Sequence, residues 1–203
     1  MERLAQEDIN SGQEYDKIYL QRKKAGIDPF DLKRWNILLR YFRGGRLIDM
    51  GCLDSLVPVI AKTKYPKSEI WGIDIAGEAL KQMQEEYPAI YYQKADVYHT
   101  SFPSNYFSYA VAGELIEHLE NPEKFIMEAM RILKPGGIFA LSTPKDEKIG
   151  EVDADRHLWS FSVQDVREML ESYGIVKIRI FPNFHVPFTA YHHKNIIMFC
   201  TKL

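Results

Sequence analysis

Between Arg46 and Pro144 the chain repeats one pattern: a short apolar run, a closing acid or small residue, then an amphipathic stretch. The apolar runs are "RLIDM", "EIWGIDI", "IYYQKADV", "YFSYAVAGE" and "IFALSTP". Their length and their content of β-branched and aromatic residues read as strands, and the stretches between them carry a helical period. Strands that alternate with helices form a mostly parallel sheet with helices on both faces. The last two apolar runs, "IVKIRIF" and "NIIMFCT", are joined by "PNFHVPFTAYHHK", which offers no helix. A parallel pair needs a crossover, so these two strands are expected to pair antiparallel at one edge.

The helix boundaries carry their own chemistry. Ser55 is placed to cap a helix starting near Leu56, with Pro58 in the first turn, where a missing N–H costs little. A second helix runs through Leu80, Met83 and Tyr87 and stops before Pro88. Asn121 and Pro122 open a third, whose stripe is Phe125, Ile126, Ala129, Ile132 and Leu133 and which "KPGG" should end. Ser162 and Asp165 have capping-box spacing ahead of Val166, Met169, Leu170 and Tyr173, with Gly174 as the stop. Upstream, Asp28 and Pro29 start a helix carrying Leu32, Trp35, Leu38, Leu39 and Phe42. The expected organisation is a single domain over 1–203, with a helical lid or extension at 1–45 and a ligand-binding core at 46–203.

Composition excludes several partners. The net charge is -2 with no large basic block, which argues against nucleic acid, whose binding rests on neutralised phosphates. No apolar run is long enough to span a bilayer, and the polar "MERLAQEDIN" is not a signal peptide. Cys52 and Cys200 are far apart and in no metal spacing, which fits a reducing, cytoplasmic compartment.

In an open parallel sheet, ligands bind beyond the carboxyl ends of the strands, near the switch point. The sequence puts Asp49, Asp54, Asp74, Asp96, Glu114 and Glu117 there, with no Lys or Arg placed among them. A dinucleotide brings a pyrophosphate, which favours N–H donors and is repelled by carboxylates. S-adenosylmethionine brings a sulfonium, an ammonium and one carboxylate, so an acid-lined crevice suits it better. Asp74 closes the second strand, roughly 25 residues after Asp49, where a carboxylate takes both ribose hydroxyls. Asp96 is placed for the adenine amino group and the Val97 N–H for a ring nitrogen, while Asp49 and the Gly51 backbone lie nearest the amino-acid end.

Taken together, these stretches resemble the class I S-adenosylmethionine-dependent methyltransferases from about Arg46 onward. "LIDMGCLDS" is similar to the family's first motif, an acid followed by Gly-x-Gly-x-Gly. "WGIDIA" resembles the second motif and "KADV" the adenine-binding stretch. "FSYAVAGELIEHLENPEKFIMEAMRILKPGGIFALSTP" and "RHLWSFSVQDVREMLESYGI" resemble the small-molecule branch that includes the ubiquinone-biosynthesis O-methyltransferases. The resemblance implies a Rossmann-like, doubly wound α/β sheet of seven strands in the order 3-2-1-4-5-7-6, with the last strand antiparallel. It implies cofactor contacts from Asp49, Gly51, Cys52, Leu53, Asp54, Ser55, Asp74, Ile75, Asp96, Val97, Glu114 and Leu115. One departure stands out: only Gly51 of the three glycines is present, and Leu53 and Ser55 replace the others. Leu53 must keep an allowed backbone angle or carry strain of about 1–3 kcal/mol. Ser55 can cap the following helix, and Asp54 can pair with the cofactor's ammonium.

"GELIEHLEN" spaces Glu114, Glu117 and His118 at i, i+3 and i+4, which is one face if the piece is helical. With His157 from the loop after strand five, these residues are similar to the metal-binding set of small-RNA 2′-O-methyltransferases. They are candidates for Mg²⁺, which would position an acceptor oxygen. His118 is separately the candidate general base for an acceptor hydroxyl. The acceptor pocket is expected between the N-terminal extension (Tyr15, Tyr19), the Pro144–Phe161 loop (His157, Trp159) and the late hairpin (Phe184, His185, Phe188, Tyr191, His192, His193). Such an aromatic rim suits a small-molecule substrate, methylated at oxygen. RNA-terminal 2′-O-methylation and a catalytically inactive ligand-binding relative are the alternatives.

Overall fold

Side chains alternate across a strand, so a run that is apolar throughout has to be covered on both faces. The computed structural model describes residues 1–4, 10–145, 157–171, 178–181 and 195–203. β1 (Glu2–Arg3), α1 (Gly12–Ala25) and α2 (Pro29–Leu38) come first. The chain then alternates as β2 (Arg46–Met50), α3 (Val57–Lys64), β3 (Glu69–Asp74), α4 (Gly77–Glu86), β4 (Tyr91–Lys94), β5 (Phe107–Gly113), α5 (Pro122–Ile132) and β6 (Leu133–Pro144). After these come β7 (Trp159–Ser160), α6 (Val163–Glu171), β8 (Ile178–Phe181) and β9 (Asn195–Thr201).

The main sheet runs β4-β3-β2-β5-β6-β9-β8. Strands β2 to β6 pair in parallel, and β9 lies antiparallel to both β6 and β8. Counted along the core alone this is 3-2-1-4-5-7-6, as the resemblance implied, and the order reverses between β2 and β5. Ile48 and Met50 face Phe125, Ile126 and Ala129 of α5 and Val166 and Leu170 of α6. Leu47, pointing the other way, meets Trp35 and Leu38 of α2 and Val57 and Ala61 of α3. Among the described residues, no helix is long and apolar enough to cross a membrane.

The expected capping chemistry is present at three helices, α2, α5 and α6. Asp28 accepts from the Phe30 N–H, and Asn121 from the Lys124 N–H at 3.0 Å. Ser162 and Asp165 exchange bonds reciprocally. Ser55 is not the cap of α3: the helix starts at Val57, its N-cap is Leu56 with no side-chain bond, and the Ser55 hydroxyl, one residue earlier, accepts from the Val57 N–H at 3.1 Å.

Three local expectations change. "KPGG" does not separate α5 from its strand: β6 starts at Leu133, which pairs with Phe107. The glycines form a bulge, with Gly136 at φ 74, and the Gly136 N–H and Gly137 carbonyl both bond to Lys202, which keeps this turn inside the ladder. β4 ends at Lys94, two residues before Asp96, because the Asp96 carboxylate turns onto the Tyr98 N–H. Leu32 is exposed on α2 rather than buried. A short β1–β7 ladder, with Arg3 opposite Trp159, was not foreseen. Tyr173, Gly174 and the late hairpin's aromatic and histidine residues lie outside the described residues.

The N-terminal helix α1 docks on the end of β3. A side chain at Gly12 would sit 2.5 Å from the Ile75 carbonyl oxygen, so only glycine allows this approach. Tyr19 is buried among Ala76, Ala79 and Met83. α4 has no cap from its own Ala76; instead Asp16 of α1 accepts from the Ala79 N–H at 3.0 Å.

Candidate cofactor site

The turn after β2 is tied to its neighbour. The Gly51 and Cys52 N–H groups both donate to the Ile73 carbonyl, at 2.8 and 3.0 Å. Gly51 has φ 71, and a Cβ there would lie 2.6 Å from the Leu115 side chain, so glycine is required on two counts. Cys52 is buried, its sulfur beneath Gly72, and burial pushes its thiol well up. Leu53, where the family motif has glycine, takes a left-handed backbone at φ 34. Its N–H donates to Asp74 Oδ2 at 2.9 Å, and its side chain packs on the Tyr19–Ala76–Ala79–Met83 cluster. The strain of a left-handed leucine is thus offset by the docking of α1. We expect Leu53→Ala, which keeps the strain and loses the packing, to cost about 2–3 kcal/mol. Leu53→Gly loses the packing but relieves the strain, so thermal midpoints should fall in the order wild type, Gly, Ala; a glycine variant less stable than alanine would contradict this account.

Two basic side chains from the extension enter the acidic crevice, which corrects the expectation that none is placed there. Arg22 donates to Asp54 Oδ2 at 2.7 Å and to Asp31 Oδ2 at 2.8 Å. Arg34, largely buried, reaches Asp31 Oδ1 at 2.7 Å and Glu114 Oε2 at 3.1 Å. Asp54, expected to meet a ligand ammonium, is therefore already paired.

The strand-end acids differ in how fully they are satisfied. Asp74 is buried and accepts from the Leu53 and Ala76 N–H groups, each at 2.9 Å. Burial raises its pKa, and these two bonds pull it back. Asp49 is buried with Oδ2 unpartnered. Burial, with the charge of Asp74, pushes it up to about 7 against the pull of Ser55 and Arg34. Asp96 is exposed beside the buried Val97. Glu114 sits at φ 53, its Oε1 accepting from Ser142 at 2.7 Å and its Oε2 from Asn195 at 2.9 Å as well as pairing with Arg34.

The left-handed Glu114 ends the strand, and only Ile116–His118 form a single 3-10 turn. Glu114, Glu117 and His118 therefore do not share one helical face. Glu117, His118 and His157 do converge, with candidate ligand atoms within 4.8 Å of one another; Glu114 stays outside the group. Glu117 is buried, accepts from Thr143 Oγ1 at 2.9 Å, and leaves Oε1 unpartnered. Burial and the charge of Glu114 push it up to about 8, opposed by His157. The His118 and His157 rings meet edge-on at 4.7 Å, and Tyr15 stands 6.0 Å from His118.

Buried polar atoms without a partner are rare in native proteins, so a concentration of them marks a polar ligand's place. Among the described residues there are five such atoms: Tyr92 Oη and, at the strand ends, Arg34 Nε, Asp49 Oδ2, Glu117 Oε1 and Asn195 Oδ1. Arg34 and Asn195 bond Glu114 directly, Glu117 feels its charge, and Asp49 feels that of Arg34. These four gather at the carboxyl ends of the strands, by the switch point.

Residues 48–141 match the family model described as a methyltransferase domain. That stretch is similar to the class I S-adenosylmethionine-dependent methyltransferases, and the chain has their fold. It is 27% identical over 192 residues to the biotin biosynthesis bifunctional protein BioHC of Teredinibacter turnerae, covering 85% of this chain and 33% of that one. It is 22% identical over 100 residues to a trans-aconitate 2-methyltransferase of Azoarcus sp., covering 49% and 39%. The chain spans only 28% to 40% of the length of the curated relatives it matches. Its fold superposes with a TM-score of 0.76, at 13% identity and over 93% and 97% of the two chains, on a Haloferax volcanii protein solved in complex with the Trm112 methyltransferase activator.

The expected residues Asp49, Gly51, Leu53, Asp74 and Ile75 lie at the ends of β2 and β3 and in the turns after them, tied together by the Gly51 N–H to Ile73 and the Leu53 N–H to Asp74. Leu115 joins them by packing over Gly51. Of the expected pocket residues, His157 and Tyr15 stand by His118. Tyr19 is instead interior packing, and Trp159 is pinned by its indole N–H to the Leu119 carbonyl at 2.8 Å, under Arg3. Arg34, Asp16 and Asn195 were missed, and no local pattern marks them. Ser142 and Thr143 could have been found: they close strand five at the same level as the acids.

Proposed function

We propose that this chain transfers a methyl group from S-adenosylmethionine to a small-molecule acceptor, at oxygen. The observation that carries the reading is the acid-rich crevice with its four unpartnered buried atoms: it asks for a polar ligand bearing both cationic and anionic groups. The methyl donor supplies an electrophilic carbon on a sulfonium. The chain's residues do the rest. Asp74 holds the ribose hydroxyls, Asp96 and the Val97 N–H hold the adenine, and Asp49 favours the nearby positive charge. Residues 1–45 act as a lid on the 46–203 core, with Tyr15 closing the pocket beside His118. Exclusion of water and in-line alignment are what methyl transfer needs most. The names of the BioHC and trans-aconitate relatives support a small acceptor.

His118 takes the acceptor's proton, with His157 beside it. His118→Ala should lower turnover by about 100-fold or more while leaving cofactor affinity unchanged. The check is S-adenosylhomocysteine formation across a panel of hydroxyl- and carboxyl-bearing acceptors. The Glu117–His118–His157 group does not fit Mg²⁺. That ion takes oxygen ligands, whereas this group offers one carboxylate and two imidazoles, and Glu114 is engaged by Arg34. No step is assigned to Mg²⁺.

Left-handed Leu53 and the Arg22–Asp54 pair favour a second reading, a ligand-binding protein without methyl transfer. Calorimetry with S-adenosylhomocysteine, followed by the acceptor panel, separates the two. Binding without turnover supports the second reading, and no heat at millimolar ligand overturns both.

A further inference from the structure

We propose that the side-chain amide of Gln84 closes the outer edge of β4 by taking the place of an added strand, and that without it this edge pairs with β4 of a second copy of the chain. β4 is the outermost strand of the main sheet, with β3 on one side only. An edge strand presents backbone N–H and C=O groups that another chain can use. These groups alternate in direction along a strand. The Ala95 N–H donates to the Asp74 carbonyl, so Tyr91 and Gln93 turn theirs toward β3 as well. Ile90, Tyr92 and Lys94 turn theirs outward. Gln84, on α4, meets two of the outward groups. Its Nε2 donates to the Ile90 carbonyl at 2.9 Å, and its Oε1 accepts from the Tyr92 N–H at 3.1 Å. Those two groups, one on each side of Tyr91, are the ones that a residue of an added strand would bond with its own N–H and carbonyl.

This edge needs a guard. Ile90 to Gln93 carries no charge, proline or glycine, and its two tyrosines favour a strand. Tyr91 is 53% exposed and stacks on Trp71 at 4.8 Å, which sets an aromatic surface beside the edge. Identical uncharged segments do not repel one another, so a second copy is the occupant that fits. Within β4 the one charge is on Lys94, at its end. Gln84 is well placed to hold the edge. Its neighbour Met83 is buried with Tyr19, Ala76 and Ala79, so the amide sits on a helix that is itself docked.

The test combines amide hydrogen exchange, read by NMR, with sedimentation across protein concentration. It uses the full chain as wild type, Gln84→Ala, Lys94→Pro and the Gln84→Ala Lys94→Pro double variant, with folding checked by circular dichroism. In dilute solution Gln84→Ala should speed exchange of the Tyr92 amide by about tenfold, the worth of one hydrogen bond, and leave Tyr91 and Gln93 unchanged. As concentration rises, Gln84→Ala should associate beyond the state of wild type. Lys94→Pro removes an outward N–H from an edge strand, where proline is tolerated. Alone it should sediment as wild type does, and in the double variant it should abolish the added association. Three results overturn the proposal: Gln84→Ala sedimenting as wild type, a Tyr92 amide that exchanges equally fast in both, or association that persists in the double variant. Gln84→Met, which keeps the length of the side chain and loses both bonds, replaces the alanine variant should that one fail to fold, and the same outcomes decide.

Discussion

Asp74→Asn should weaken S-adenosylhomocysteine binding by about 100-fold or more while the protein stays folded. In the present arrangement each carboxylate oxygen of Asp74 accepts one backbone N–H, from Leu53 and from Ala76. These bonds set the turn after β2 and the start of α4, the two walls between which a ribose would lie. Asparagine keeps the shape and one acceptor, but its amide N–H₂ faces a backbone donor instead of accepting from it. A hydrogen bond to a charged group contributes about 1.5–3 kcal/mol, and a ribose would use two. Affinity should therefore fall by about 100-fold or more. Asp74→Ala would also leave both N–H groups unpaired, which adds a stability loss of about 2–4 kcal/mol; the asparagine variant avoids most of this. Calorimetry at millimolar ligand decides the point: an Asp74→Asn affinity within threefold of wild type would remove Asp74 from the ribose role.

The ligand-free protein should be more stable at pH 5 than at pH 8. Asp49 is pushed up from 3.8 to about 7 and Glu117 from 4.5 to about 8, both chiefly by burial. A carboxyl whose folded pKa is raised holds its proton in the native state after the unfolded chain has released it. Its contribution is complete below the unfolded value and is lost as pH rises through the folded one. Each group then lowers stability by about 1.4 kcal/mol per pH unit across that window. Together they amount to several kcal/mol between roughly pH 4.5 and 8. Glu69, Glu128 and Asp165, held low by their partners, work in the opposite sense and make the acid limb. Thermal midpoints across this range should decline toward pH 8, and the Asp49→Asn Glu117→Gln double variant should flatten the decline. A wild-type midpoint that rises over the same range would contradict both assignments.

What could be read from the residues alone was what depends on near neighbours. Asp28, Asn121 and the Ser162–Asp165 box cap helices because a cap needs only the next three residues. The strand order followed from alternation and from a sequence stretch before the last apolar run that carries no helical pattern. Long-range pairings were not legible. Arg34 meets Glu114 across 80 positions and Arg22 meets Asp54 across 32, so the crevice looked purely acidic in sequence although it is not. Glu114 read as helical because its spacing to Glu117 and His118 fitted a period; its left-handed backbone comes from its N–H bond to the Ser142 carbonyl, a neighbouring-strand effect. For Leu53 the sequence left two outcomes, an allowed backbone angle or strain, and the structure has the left-handed one; the packing that offsets it comes from α4 and from Tyr19 of α1, 34 positions earlier, where no motif points.

The position of β9 sets an order of assembly. Among the described residues, β8 pairs in the sheet only with β9, and β9 brings Asn195 to Glu114. The edge strand cannot join before its later neighbour has inserted, and the acidic crevice lacks one of its clasps until then. A chain carrying only the five parallel strands would have the architecture of the binding site without the Asn195 clasp on Glu114.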